Sequence, residues 1–199
     1  MKPTFYLMRH GQDEDNERHI LNGHRNTHLT SLGKKQAEEA AALLKTEKIS
    51  LILSSPLQRA VETATVIAQK LGVEIQRVNG LIERDYGVLT GVPSKDKEKY
   101  AKEIRIVHGS NYFLGVEDAE EFPVVHSRAR HVLQELKETL ALNTCLLVSH
   151  GDFLQMVRAA YYEKSWEEGL AFPYLRNGEV VTLAENGETF LSEGGNLQS

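Results

Sequence analysis

Two histidines and two arginines of this chain are candidates for phosphate chemistry. Arg9 and His10 directly follow a short apolar run, and His150 follows another. Arg59 comes just after the polar turn at 54–56, which ends a third apolar run. The planar guanidinium of arginine binds phosphate oxygens in pairs, and neutral imidazole is a competent nucleophile. These residue types predict transfer of a phosphoryl group onto a histidine, with side chains rather than a metal ion supplying the balancing charge.

The alternation of apolar runs with helical patterns predicts how these side chains are brought together. Continuous apolar runs, typical of strands covered on both faces, lie at 5–8, 51–53 and 145–148. Apolar stripes at helical spacing lie at 37–44, 57–71 and 129–140, and Gly72 is placed to end the second. Strands that alternate with helices indicate an α/β fold with a mostly parallel sheet, where ligands bind beyond the carboxyl ends of the strands. The four side chains should therefore meet at one sheet edge.

The rest of the chain is expected to complete a single domain over residues 1–199. Asn186-Gly187, between two short apolar segments, predicts a β-hairpin. The charge-rich stretch at about 92–123 is interpreted as an insertion over one end of the sheet, with Lys95 to Lys102 as a solvated helical face. Residues 193–199 are expected to form a frayed tail.

Composition excludes several classes of protein. The 199 residues, 41% hydrophobic and 26% charged, are ordinary for a globular domain with a substantial core. No apolar run approaches the roughly 18 residues of a membrane span, and the N-terminus does not resemble a signal peptide. The single cysteine, Cys145, permits no internal disulfide and fits a reducing cytoplasm, and the net charge of -5 disfavours nucleic acid as a partner. We expect a cytoplasmic protein that acts on a small metabolite; a homo-oligomer is left open.

Five sequence blocks, in order, resemble the signatures of the histidine phosphatase superfamily, to which the cofactor-dependent phosphoglycerate mutases belong. The first is Arg9-His10-Gly11, followed by Asn16, which resembles the RHG signature. The others are LTSLGKKQA at 29–37, SSPLQRAVETA at 54–64, LIERDYGVLTG at 81–91 and SHG at 149–151. The blocks extend from Phe5 to about Gly151. This resemblance implies a three-layer α/β/α fold like that of phosphoglycerate mutase.

The resemblance also implies roles for individual residues. His10 would be the nucleophile that becomes phosphohistidine, and Arg9, Arg59 and His150 would bind the transferred phosphoryl group. Glu83 would be the general acid and then the general base, which requires a pKa raised by partial burial. The substrate-binding residues would be Arg9, Asn16, Asn22, Gly23, Arg59, Arg84, Tyr86, His150 and Gly151. Asn22 replaces the usual glutamine. The superfamily needs no metal, and we expect no cofactor.

Two enzymatic alternatives follow from this resemblance. A phosphatase would release the phosphoryl group to water, whereas a mutase would return it to the substrate. Glu83-Arg84 with Tyr86-Gly87 resembles the mutase pattern ERxYGxLxG. Against a mutase, the chain is short for that group, and its insertion lacks the Trp-Arg-Arg cluster that contacts the substrate carboxylate there; only Lys102 and Arg105 lie near Tyr100. We therefore favour a phosphatase.

Asp13 motivates a third alternative, a catalytically silent phosphate-binding protein. The superfamily has threonine or serine at this position, whose hydroxyl donates to phosphate, whereas an ionised aspartate only accepts and repels it. The neighbouring Glu14, Asp15 and Glu17 are expected only to favour a helix dipole. Because the chain retains all five catalytic candidates, we expect it to be an active enzyme with weak activity. These candidates are Arg9, His10, Arg59, Glu83 and His150.

Three histidines in the loop after Glu17 are candidate metal ligands by residue type. His19, His24 and His28 match no tight zinc spacing, so the sequence favours a solvated loop.

Overall fold

A six-stranded sheet forms the centre of the molecule in a computed structural model, which describes residues 2–191. The strands are β1 (Phe5–Arg9), β2 (Leu51–Ser54), β3 (Glu74–Arg77), β4 (Glu103–Val107), β5 (Ser110–Leu114), β6 (Cys145–Ser149), β7 (Val180–Ala184) and β8 (Gly187–Phe190). The helices are α1 (Glu14–Glu17), α2 (Ser31–Leu44), α3 (Gln58–Leu71), α4 (Phe122–Glu135), α5 (Lys137–Leu142), α6 (Gly151–Tyr161) and α7 (Trp166–Gly169). Strands β4 and β5 form a separate hairpin.

The central sheet is mostly parallel, as the sequence predicted. Its strand order is β3-β2-β6-β1-β7-β8. The first four strands are parallel to one another, β7 is antiparallel to β1, and β8 is antiparallel to β7. Arg9 at the end of β1 pairs with Ser149 of β6, and Ser54 of β2 pairs with Val148. The carboxyl ends of the three predicted strands therefore lie side by side.

Helices cover both faces of this sheet, which gives three layers. Alternate residues of β1 point to opposite faces: Tyr6 and Met8 pack with the apolar stripes of α2 and α3, while Phe5 and Leu7 pack with α4 and α6. These side chains are almost fully buried, which explains why the strands read as continuous apolar runs. Helix α3 ends at Gly72 in the left-handed conformation, as its position predicted.

The third helical stripe is interrupted in the structure. Helix α4 ends at Glu135, and the backbone of Leu136 joins it to α5. Leu136 and Leu140 nevertheless belong to the same buried cluster as Val132, because the short break preserves their common face. The spacing of apolar residues predicts which face of the helix is buried. It does not predict that the helix is interrupted at Leu136.

The charge-rich stretch contains the β4–β5 hairpin and a 3-10 helix over Ser94–Lys99. Tyr112 and Leu114 of β5 join the large core, while Phe113 packs with Tyr86 and Leu89. The predicted helical face over Lys95 to Lys102 is thus a shorter 3-10 segment without buried residues.

Near the C-terminus, β7 and β8 form the predicted hairpin. Its two-residue turn is at 185–186, one residue before the predicted Asn186-Gly187, and Gly187 already pairs with Ala184. The predicted tail at 193–199 lies outside the described residues. Among the residues that are described, no helix is long and apolar enough to cross a membrane.

Candidate active site

The two histidines predicted to act together lie at neighbouring strand ends. The amide of His10 donates to the carbonyl of Ser149 at 3.0 Å, and the rings of His10 and His150 are 5.0 Å apart. Arg59, the second residue of α3, places its Nε 3.2 Å from His10 Nε2 and 3.2 Å from His150 Nδ1. All three side chains are buried. The structure therefore brings the predicted His-His-Arg group together.

His10 is held in the form that a nucleophile requires. Its Nδ1 lies 2.7 Å from the carbonyl oxygen of Gly11. Because a carbonyl only accepts, Nδ1 carries the proton and Nε2 presents its lone pair toward Arg59. Burial, followed by the charges of Arg59 and Arg9, lowers the pKa of His10 well below its ordinary value. The imidazole is consequently neutral at physiological pH.

Close backbone contacts explain the glycines beside His10. A Cβ on Gly11 would lie 2.3 Å from the carbonyl oxygen of Gly33, and a Cβ on Gly33 would lie 2.0 Å from that of Gln12. The amide of Gly11 donates to Thr63 Oγ1 of α3 at 3.0 Å. The first three matching sequence blocks are thus physically joined, and the loop that carries His10 is anchored on α2 and α3.

His150 is neutral in the opposite tautomer. Arginine has no acceptor, so His150 Nδ1 accepts from Arg59 and Nε2 carries the proton, which it donates to Ser55 Oγ at 2.7 Å. Burial, followed by the charge of Arg59, lowers the pKa of His150 well below its ordinary value.

The side chain of Arg59 is held in place by hydrogen bonds to the loop at 22–27. Its two terminal nitrogens donate to the carbonyls of Arg25 and Gly23 at 2.7 and 2.8 Å. Burial lowers the pKa of Arg59, and the charges of Asp13 and Glu83 oppose that shift. The side chain thus has one fixed orientation, with Nε directed at the histidines.

Arg9 approaches the same centre from the end of β1. One terminal nitrogen donates to the carbonyl of Leu175 at 3.0 Å, and the guanidinium lies 5.3 Å from the centre of the Tyr174 ring. Its Nε is buried and has no hydrogen-bond acceptor among the described residues. The charge of Arg9 contributes to the lowered pKa values of both His10 and His150.

Glu83 has the environment expected of a carboxylic acid that exchanges protons near neutral pH. It is only 4% exposed, and one of its oxygens accepts from the amides of Arg84 at 2.8 Å and Phe153 at 3.1 Å. Burial, reinforced by the charge of Asp152, raises the pKa of Glu83 to about 7. The positive charge of Arg59 acts in the opposite direction and lowers the pKa of Glu83.

Asp13 lies in this site and does not turn away from it. It is fully buried, it caps α1 by accepting from the amide of Asn16 at 2.8 Å, and its Oδ2 is 3.3 Å from Arg59 Nε. The expectation for Asp15 was wrong in part, because Asp15 is buried and pairs with Arg25 at 2.7 Å rather than only favouring the dipole of α1. Glu14 and Glu17 are exposed.

The remaining predicted pocket residues lie around this centre in different ways. Asn22 donates to Asp13 Oδ2 at 2.5 Å, and Gly23 contributes its carbonyl to Arg59. Asn16 accepts from Asn177 at 2.9 Å. Gly151 begins α6, where a Cβ would lie 2.0 Å from the hydroxyl of Tyr174.

Arg84 is directed into the insertion instead of toward the histidines. Its guanidinium is fully buried, donates to the carbonyls of Glu120 and Phe113 at 2.7 and 2.9 Å, and stacks over Phe122 at 4.2 Å. A further nitrogen is 3.5 Å from Asp152. These contacts occupy the guanidinium of Arg84, which differs from the substrate-binding position expected from the sequence.

Several residues near the site escaped the sequence analysis. Asn177 donates to the carbonyl of His10 at 3.0 Å, and Tyr174 donates to Asp152 at 3.1 Å. Tyr174, Asp152 and the predicted pocket residue Tyr86 line a cavity of about 230 Å³ beside the insertion. Asp152 follows the SHG block directly, which could have drawn attention to it. Tyr174 and Asn177 lie in an irregular segment that carries no local pattern.

The three loop histidines do not converge. His24 contacts the carbonyl of Glu83 at 2.8 Å, whereas His28 pairs with Glu62 at 2.6 Å. Within residues 2–191, no group of three or more His, Cys, Asp or Glu is arranged to hold a metal ion.

Comparison with known proteins decides the family. The model of the histidine phosphatase superfamily (branch 1) matches residues 5–197. The chain belongs to the histidine phosphatase superfamily. Among solved structures, a mycobacterial glucosyl-3-phosphoglycerate phosphatase in complex with VO3 superposes with a TM-score of 0.77 at 21% identity, covering 94% of this chain and 96% of that one. At this identity the likeness establishes the shared fold alone.

Curated members of the superfamily include both enzyme types considered above. A 2,3-bisphosphoglycerate-dependent phosphoglycerate mutase of Parvibaculum lavamentivorans is 28% identical, over 91% of this chain and 90% of its own length. A broad-specificity phosphatase of Saccharomyces cerevisiae is 30% identical, over 76% of this chain and 67% of its own. The length of this chain therefore does not disfavour a mutase, contrary to the expectation from the sequence, because a mutase of nearly the same length exists.

Proposed function

We propose that this protein is a phosphatase that hydrolyses a small phosphomonoester through a phosphohistidine on His10. The observation that carries this proposal is the arrangement around Arg59 Nε, which lies 3.2 Å from the unprotonated nitrogen of His10. A neutral, buried imidazole beside two arginines can attack phosphorus, and the guanidinium groups stabilise the charge that develops on the phosphoryl oxygens.

The reaction proceeds in two balanced steps. In the first, His10 Nε2 forms a bond to phosphorus while the bond from phosphorus to the leaving oxygen breaks, and Glu83 gives that oxygen its proton. In the second, Glu83 takes a proton from water as the water oxygen attacks phosphorus and the phosphorus–nitrogen bond breaks. Phosphate leaves and His10 is again neutral. A pKa of about 7 suits Glu83 to both directions of proton transfer.

The mutase remains the second candidate, because relatives of similar length carry that name. Three basic residues that could have bound a substrate carboxylate have other surroundings here. Arg84 is occupied by the insertion, and Arg105 pairs with Glu103 at 3.0 Å and stacks on Trp166. Lys102 lies against Gly115. Within the described residues, the insertion therefore offers no cluster of free arginines for a substrate carboxylate, so we favour water as the acceptor.

The wider context of this activity is also part of the proposal. We infer one domain over residues 1–199, a cytoplasmic location, and a small phosphorylated metabolite rather than nucleic acid or a membrane as the partner. The net charge of -5 supports the exclusion of nucleic acid.

The test is hydrolysis of an aryl phosphate by the purified protein. We expect activity that EDTA leaves unchanged and vanadate inhibits, and acid-labile phosphate that can be trapped on the protein. His10→Ala should lose both the activity and the label, while His131→Ala, which changes an exposed histidine of α4, should retain them. Full activity in His10→Ala would refute the mechanism, and phosphate binding without hydrolysis would indicate the silent alternative.

Product analysis separates the two enzyme types. When the protein is incubated with 3-phosphoglycerate and 2,3-bisphosphoglycerate, we expect free phosphate to form faster than 2-phosphoglycerate. Isomerisation that outpaces phosphate release would assign the protein to the mutases.

A further inference from the structure

The carboxylate of Asp13 occupies a place beside the nucleophile where the superfamily resemblance implies a hydroxyl. Asp13 Oδ2 and His10 Nε2 both lie within 3.3 Å of a single atom, Arg59 Nε. A phosphoryl group on His10 would therefore sit next to a fixed carboxylate. The arginine nitrogen that faces the histidines also faces this internal anion.

The surrounding hydrogen bonds prevent Asp13 from leaving this position. Oδ1 accepts from the amide of Asn16, while Oδ2 accepts from Asn22 Nδ2 at 2.5 Å and Thr27 Oγ1 at 3.1 Å. The backbone of Asp13 is paired with Leu29 in a β-bridge. Rotation of the side chain would leave several buried donors without an acceptor, at a cost that makes it unfavourable.

The charges around Asp13 show what this carboxylate changes. Two cations, Arg9 and Arg59, surround His10, and both imidazoles that face them are neutral. Ionised Asp13 cancels one of these two positive charges. The other titratable groups that bear on it are Glu83 across Arg59 and Asp15 on α1. With Glu83 protonated, as a general acid must be, the site holds one net positive charge. Such a site suits a monoanion, whereas a phosphomonoester above its second pKa of about 6 is a dianion.

We propose that Asp13 is a specificity residue that adapts the site to a phosphomonoester carrying one negative charge. This inference rests on the proposed phosphatase function and names the ionic form of its substrate. A dianion can bind only with uptake of one proton, held by the phosphate or by Asp13. Burial raises the pKa of Asp13 from its ordinary value, which makes the carboxylate a suitable site for that proton. At an effective dielectric near 20, a unit charge about 6 Å away changes affinity for an anion by about a hundredfold.

The test measures binding of inorganic phosphate and of sulfate to the full chain by calorimetry at pH 8 and pH 5.5. Asp13→Asn removes the charge and retains a side chain that caps helices equally well. At pH 8 we expect Asp13→Asn to bind both anions at least tenfold more tightly than the wild type. At pH 5.5, where phosphate is a monoanion, the gain in phosphate affinity should be at least threefold smaller than at pH 8, because Asp13 repels a single negative charge half as strongly as a double one. His10, His150 and Glu83 are present in both proteins, so the comparison isolates Asp13.

Glu14→Gln is the matched control, because it removes an exposed carboxylate from the adjacent position, and its affinities should equal those of the wild type. If Asp13→Asn does not fold, Asp13→Ser, which also caps helices, takes its place. Affinity for phosphate that is unchanged or weaker at pH 8, or increased equally at both pH values, would overturn the proposal. Because binding does not require turnover, a protein without phosphatase activity would refute the proposed function and still answer this test.

Discussion

The burial of Glu83 should make the stability of the fold depend on pH, and Glu83→Gln should remove that dependence. A glutamine keeps the carbonyl oxygen that accepts from the amides of Arg84 and Phe153, so the substitution removes the ionisation and preserves these bonds. We expect the variant to be more stable than the wild type at pH 8 and equally stable at pH 4.5.

The magnitude follows from the pKa, which rises from 4.5 to about 7 on folding. Between these values the folded state holds a proton that the unfolded state has lost, so the free energy of unfolding decreases as pH rises through this window. One pKa unit corresponds to about 1.4 kcal/mol, so the change in the pKa of Glu83 lowers the free energy of unfolding at pH 8 by about 3 kcal/mol. For a chain of this length that is a difference in Tm of about 6–12 °C.

Urea or thermal denaturation of both proteins at pH 4.5 and pH 8 measures this difference. Glu98→Gln, which changes an exposed glutamate of the insertion, is the control and should follow the wild type at both pH values. An equal difference between Glu83→Gln and the wild type at both pH values would refute the reasoning, since ionisation would then play no part.

Two further predictions concern residues on either side of the site. Glu83→Gln should slow hydrolysis of alkyl phosphates by about 10²–10⁴-fold and that of nitrophenyl phosphate much less, because nitrophenolate needs little protonation; equal losses in a comparison of kcat on the two substrates would place the general acid elsewhere. Arg84→Lys should lower the free energy of unfolding by about 3 kcal/mol with KM little changed, because lysine cannot replace the buried guanidinium contacts. Urea denaturation and steady-state kinetics check this beside Arg130→Lys at an exposed site, and an increased KM with unchanged stability would instead indicate a substrate ligand.

Much of the fold could be predicted from local pattern, because burial on both faces of a sheet leaves a continuous apolar run. The three predicted strands are present, and each is one residue longer than its apolar run, since Arg9, Ser54 and Ser149 continue the pairing with polar side chains. The break at Leu136 could not be predicted, because the apolar face continues across it.

The sequence by itself determined which residues of the site are close to one another. His10 and His150 each follow the end of a parallel strand, and this position alone implies a shared edge. Arg59 could be added because the turn at 54–56 ends a third strand at that edge. These inferences require only the positions of the strands and the direction in which each runs. The apolar runs in the sequence indicate both.

Only the tertiary structure decided where the charged side chains point and what they contact. Asp13, expected to repel phosphate, is paired with Arg59, and Arg84, expected to bind substrate, is enclosed by the insertion. Tyr174 and Asn177 reach the site from a segment without any periodic pattern. The partners of a buried charge are residues that are distant in sequence and that folding brings next to it. Residue type and spacing along the chain do not identify those partners, because they depend on how the chain packs in three dimensions.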